Sequence, residues 1–109
     1  MLLPKQQRLR CPAHLTWVRT LRCCVPTCRQ FGVEVHHLLQ GRGGKVLAGD
    51  DFAVPLCGGP TGGHHRGGDS PHGVGNERRW QERHGIDLIQ IAEDLQRRSP
   101  AWAKFRSAE

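Results

Sequence analysis

The 109-residue chain has no tyrosine, a single methionine and no run of about 18 apolar residues. Its N-terminal stretch also lacks an apolar segment of roughly 7 to 15 residues. These absences argue against a membrane-spanning helix and a secretory leader, and the expectation is a soluble cytoplasmic protein. Core-forming residues are scarce as well. Leu, Ile, Val and Phe number 24, about 22%, just above the level near which chains tend toward disorder. One small domain with limited apolar burial is expected, and a structural metal is a natural supplement to such a core.

Positive charge and glycine, by contrast, are plentiful. The net charge is +6, and 13 of the 16 basic residues are arginine, whose planar guanidinium forks onto phosphate oxygens. A polyanion is the expected partner. The five cysteines are odd in number and closely spaced, which favours metal ligation over a disulfide framework.

Residues 1–13 are basic and hold Pro4 and Pro12, suggesting a loosely ordered arm. The domain proper is expected over 14–98, followed by a short tail at 99–109. Leu15, Val18 and Leu21 recur at helical spacing over His14 to Leu21. After a knuckle from Cys23 to Cys28, the alternation of Phe31, Val33 and Val35 predicts a strand ending at His36 and His37. A second strand is expected from Asp51 to Cys57, with Pro55 placing it at a sheet edge or bulge. The loop between them contains Gly41, Arg42, Gly43, Gly44 and Lys45.

Twelve of the 14 glycines fall between Gly41 and Gly75, so irregular backbone held by bound metal is expected there. Asn76 then caps a helix to about His84 with Gly85 after it, and Trp80 facing inward. Asp87 caps a last helix, which Ser99-Pro100 ends. Trp102 and Phe105 could dock back onto the core.

The cysteines and histidines fall into two clusters flanking the expected hairpin. Cys23, Cys24 and Cys28 precede it, and Cys57, His64 and His65 close it. A tetrahedral Cys₃His zinc site would take Cys28, Cys57, His64 and either Cys23 or Cys24, and spacing does not decide between those two. Cys11 lies far from both clusters and reads as a bystander. His36, His37, His65 and His72 then exceed what a structural domain of this size needs. Imidazole suits a divalent cation, and it also suits a general base working near neutral pH. Strand alternation sends His36 and His37 to opposite faces, so one site can use both only if the strand bends or twists at its end.

RCCVPTC, EVHHL, DDFAVPLC and the later HH together resemble the HNH nucleases, built on a ββα-metal finger. HLTWVRTLRCC, VPLC and ERRWQERHGID more narrowly resemble the small phage- and prophage-associated group related to the RecA-dependent Ref nuclease, over roughly residues 14 to 95. The resemblance implies an α+β fold, a zinc-stapled ββα-metal core with a Gly-rich loop and flanking helices. It favours Cys23 as the partner of Cys28. It also implies His37 as general base, and His36, His65 and His72 as ligands of a catalytic cation. Asp50 or Asp51 would stand where the family usually has an orienting asparagine.

The implied activity is metal-dependent hydrolysis of DNA phosphodiester bonds with weak sequence preference. It would use Mg²⁺ or Mn²⁺, with Ni²⁺ or Zn²⁺ as alternatives, beside a structural Zn²⁺. Arg42, Lys45, Arg66, Arg78 and Arg79, with Arg83, are the expected phosphate contacts. The setting would be a bacterial or phage-infected cell, with a recombinase or phage DNA-processing protein as partner. The competing expectation is a non-catalytic zinc module that only binds nucleic acid.

Overall fold

The structure, a computed structural model, describes residues 9–39 and 49–102. Arg42, Lys45 and Phe105 lie outside the described residues. The fold is a small α+β assembly in which a two-stranded antiparallel sheet is surrounded by short helices. No helix among the described residues is long and apolar enough to cross a membrane.

Helix α1 spans Pro12–Val18, two residues ahead of its expected start. Proline has no N–H to lose at a first helical position and its φ is already helical. The helix closes early because Thr20 folds back, its N–H and hydroxyl both donating to the Trp17 carbonyl. Ahead of α1 the chain is packed down: the Leu9 carbonyl accepts from the Asp50 N–H, and the buried Cys11 donates its N–H to Asp50 Oδ2 at 2.7 Å.

Strand β1, Val33–His37, pairs with β2, Ala53–Cys57, in a register that sets Val33 opposite Cys57 and His37 opposite Ala53. Both strands start two residues later than expected. At β1 the cause is Gly32, whose φ of +81° turns the chain and leaves Phe31 outside the ladder. At β2 the residues Asp50–Phe52 form a 3₁₀ turn, with the Phe52 N–H donating to the Gly49 carbonyl. Pro55 interrupts nothing because both strands are edges.

The glycine-rich stretch after β2 contains two single helical turns, α2 at Gly63–Arg66 and α3 at Pro71–Val74, where glycine content predicts irregular backbone and only the resemblance implies a helix, at His65. Ser70 caps α3, its hydroxyl accepting from the Gly73 N–H at 2.8 Å. Helix α4, Glu77–His84, begins at Asn76, whose side chain accepts from the Arg79 N–H, and ends at Gly85 with φ +64°. Helix α5, Leu88–Arg98, is capped by Asp87. These two helices follow their sequence signals. Trp80, Leu88 and Ala92 from them join Val25, Val54 and Leu56 in the core. The buried Trp102 packs edge-on against His14.

Candidate metal centres and the histidine cluster

The knuckle after α1 and the turn after β2 bring Cys23, Cys28, Cys57 and His64 into one group able to hold a metal ion. Cys57 and His64 are seven residues apart, and the intervening GGPTGG compresses that distance. Gly62 and Gly63 take φ of +88° and +51°, and a Cβ on Gly63 would sit 2.5 Å from the Cys57 carbonyl oxygen. The chain therefore doubles back so tightly that the His64 N–H donates to Cys57 Sγ at 3.2 Å. His64 Nδ1 lies 3.3 Å from Cys57 Sγ and 3.7 Å from Cys23 Sγ, while Cys28 and Cys57 place their sulfurs 3.7 Å apart.

Cys24 is not in this group. Burial pushes its thiol up to about 12, and the same cause acts on Cys23 in the metal-free protein, also to about 12. The other ring nitrogen of His64 faces Asp69, with Nε2 to Oδ2 at 3.7 Å. Asp69 Oδ1 in turn accepts from Trp80 Nε1 at 3.1 Å and His84 Nε2 at 2.9 Å. His64, Asp69 and His84 thus form a further potential ligand group that shares His64. Burial raises the Asp69 carboxyl, but the His84 hydrogen bond and the nearby charges of His84, Arg83 and His64 bring it below its ordinary value.

The second separate group is made only of imidazoles. His36 from β1, His65 from α2 and His72 from α3 set their ligand atoms within 4.8 Å of one another. Their ring centroids form a near-equilateral triangle with sides of 5.5, 5.2 and 5.5 Å. Close glycine packing fixes His72 in place, since a Cβ on Gly73 would come within 2.2 Å of the Gly67 carbonyl oxygen. Desolvation first, and then the neighbouring His36 and His65, lower the His72 pKa. Both favour the neutral imidazole that a cation requires.

Two carboxylates hold the triangle. Glu77, at the start of α4, lies 2.7 Å from the buried His36 Nε2 and also accepts the Leu39 N–H at 3.1 Å. Glu34, two residues before His36 on the same face of β1, lies 2.8 Å from His65 Nδ1. Arg66 clamps Glu34 with Nε at 2.8 Å and Nη2 at 3.0 Å. The Arg66 and His65 hydrogen bonds hold the Glu34 carboxyl down to about 2. His36 and His65 thus each have one nitrogen engaged by a carboxylate, which leaves Nδ1 of His36 and Nε2 of His65 for an ion.

Alternation does separate His36 from His37. His37 does not join the triangle; its Nε2 meets Asp50 Oδ1 at 2.9 Å. Burial alone would raise the Asp50 carboxyl, but the hydrogen bonds from His37 and the Cys11 N–H outweigh it and bring the pKa below its ordinary value. Of the two aspartates expected as candidates, Asp50 is the one that meets His37, and no hydrogen bond joins Asp51 to that histidine among the described residues. Asp51 Oδ1 is buried without a partner and the Asp51 carbonyl accepts from Gln96 Nε2.

Among the expected phosphate contacts, Arg66 is committed to Glu34 and the Gly59 carbonyl, Arg78 pairs with Glu82 on the surface, and Arg79 is exposed. Sequence reasoning overlooked Glu34, Asp69 and Glu77. Glu34 carried a readable signal, the period-2 spacing from His36, whereas Glu77 approaches from 41 residues away with no local cue.

A family model described as "Protein of unknown function (DUF968)" matches residues 1–99. No curated protein and no solved structure matches the chain.

Proposed function

The chain belongs to the DUF968 family, and we propose that it is a metal-dependent phosphodiesterase of the HNH type acting on DNA. The observation that carries this reading is the convergence of His36, His65 and His72, with His64 of the thiolate group preceding His65 in the chain and with His37, the neighbour of His36 in β1, fixed by Asp50. The expected ββα-metal finger corresponds in this reading to β1, β2 and α2.

The thiolate group suits zinc. A tetrahedron with Zn–S of about 2.3 Å and Zn–N of about 2.0–2.1 Å has S···S edges of about 3.8 Å and S···N edges of about 3.6 Å. The spacings of 3.7, 3.7 and 3.3 Å are close to these. The three-imidazole group suits a divalent cation with positions left for substrate and water. When bound, that cation supplies Lewis-acid stabilisation of charge on phosphoryl and leaving oxygens.

The chain's own residues supply the rest. Asp50 accepts the Nε2 proton of His37, so the lone pair rests on Nδ1 and takes a proton from the attacking water. The Asp50 carboxylate also steadies the imidazolium that forms. Glu77 and Glu34 fix the tautomers of His36 and His65, so their free nitrogens face a common point. Backbone phosphates are held by surface arginines, which gives weak sequence preference and steep salt dependence.

Plasmid nicking by zinc-loaded protein with added Mg²⁺, Mn²⁺, Ni²⁺ or Zn²⁺ tests this reading. His37→Ala should slow cleavage by about 10²–10⁴-fold while zinc content and DNA affinity stay at wild-type levels. Absence of cleavage by homogeneous wild-type protein across these cations would make the chain a binding module instead.

A further inference from the structure

Two large apolar side chains among the described residues stay out of the core, Leu9 at 37% exposure and Phe31 at 62%. The Gly32 turn projects Phe31 away from the sheet, and the Arg22 guanidinium lies over the phenyl ring, 4.4 Å from its centroid. Phe31 borders a groove of about 660 Å³ between the Cys23 knuckle region and α5. That volume is in the range of sites that enclose small organic groups.

Leu21, Pro55 and Ile91 give the groove apolar lining, and Arg22, Arg29, Arg97 and Arg98 give it charge. Its two carboxylates are already engaged. Asp87 caps α5, and Asp94 pairs with Arg97 at 3.4 Å and Arg98 at 3.5 Å. The lining therefore keeps an excess of two positive charges. Arg29 adds an independent sign. It is the one non-glycine residue at positive φ among those described, at +56°, where glycine would fit with less strain. Its guanidinium also reaches the Cys23 carbonyl, Nη1 to O at 3.4 Å.

We propose that this groove receives a single strand of DNA, with one unpaired base stacked on Phe31 and the flanking phosphates on Arg22, Arg29, Arg97 and Arg98. The proposal rests on the phosphodiesterase reading and narrows its DNA substrate to one with an unpaired segment. In a duplex every base face is covered by its neighbours, so an exposed phenyl ring finds nothing to stack against. An unpaired base offers a free π-face whatever its identity. Arginine serves both needs, over the ring as a cation and against phosphate as a fork. An acidic peptide would satisfy the guanidiniums but brings no planar partner for the ring.

Fluorescence anisotropy on the zinc-loaded protein, without added divalent cation so that strands stay intact, tests the proposal. The probes are a single-stranded DNA, a single-stranded RNA, a blunt DNA duplex and a fluorescent Glu/Phe peptide. The single strands should bind more tightly than the duplex, and binding of the RNA in place of the DNA strand would overturn the proposal. Phe31→Ala should weaken strand binding by on the order of 10-fold, and Phe31→Trp should restore it. Arg29→Ala should lower the slope of log affinity against log salt by about 0.7. Unchanged zinc content and melting temperature in these variants separate a contact effect from misfolding.

Strand affinity unaltered by Phe31→Ala, equal Phe31 dependence with the duplex, or capture of the peptide in place of the strand would each overturn the proposal. The result is separable from the nuclease reading. Phe31-dependent strand binding without any cleavage would remove the nuclease and leave the groove, whereas His37-dependent cleavage indifferent to Phe31 would do the reverse.

Discussion

At the scale of single residues, the chemistry depends on which nitrogen of each histidine is engaged. Glu77 lies against His36 Nε2 at 2.7 Å, so Glu77→Ala frees the ring to rotate. Titration calorimetry should show cation affinity falling by about 10–100-fold with the thiolate-held zinc undisturbed. The two adjacent thiols separate in the same way. Cys23→Ser should lose that zinc, whereas Cys24→Ser should keep one zinc per chain by atomic absorption.

Burial pushes the Cys23 and Cys24 thiols up from 9.0 to about 12 in the metal-free protein. A raised folded-state pKa contributes stability that is fully present below pH 9.0 and lost as the pH climbs through about 12. The metal-free fold should therefore weaken over that window in urea melts, and the zinc-loaded fold should weaken less because Cys23 is then already a thiolate.

At the scale of elements, α4 and α5 were legible because their signals are local. Asn76, Gly85 and Asp87 stop and start helices by hydrogen bonds and a left-handed φ that involve only neighbours. Asn76→Ala should lower stability by about 1 kcal/mol in thermal melts. It should also disturb His36, because the capped helix begins at Glu77. The strands were legible in kind but not in length, since Gly32 and the 3₁₀ turn at Asp50–Phe52 override the alternation. Local signals gave neither α2 nor α3; a helix bearing His65 was implied only by the family resemblance. Each is a single turn shaped by glycine contacts with distant carbonyls, such as Gly63 against Cys57, which no periodicity records. Gly63→Ala places a Cβ where that carbonyl stands, and metal analysis should find the thiolate group unable to retain zinc.

At the scale of the molecule, a short two-stranded sheet and small helices share one modest core around Trp80, Leu56 and Leu88. The segments that carry two of the three imidazoles, α2 and α3, contribute little to it: Val74 packs against its edge, while the Gly63–Arg66 turn has no buried residue. These turns depend on Cys57 and His64 being tied together. Chelation of the thiolate-held ion should lower the melting temperature and also abolish cation binding at the triangle, even though that triangle contains no cysteine.

Cys and His spacing pointed to a thiolate group but left Cys23 and Cys24 open, and the set His36, His65 and His72 came from the family resemblance. The carboxylates that orient these ligands were mostly not foreseeable, because Glu77 and Asp69 arrive through tertiary packing. The most direct measurement is a Mn²⁺ titration of the zinc-loaded protein by calorimetry, comparing wild type with His65→Ala. One Mn²⁺ bound per chain, lost in the variant while its zinc is retained, is the predicted result. No Mn²⁺ binding beside a filled thiolate group, or binding that survives His65→Ala, would contradict the shared site of His36, His65 and His72.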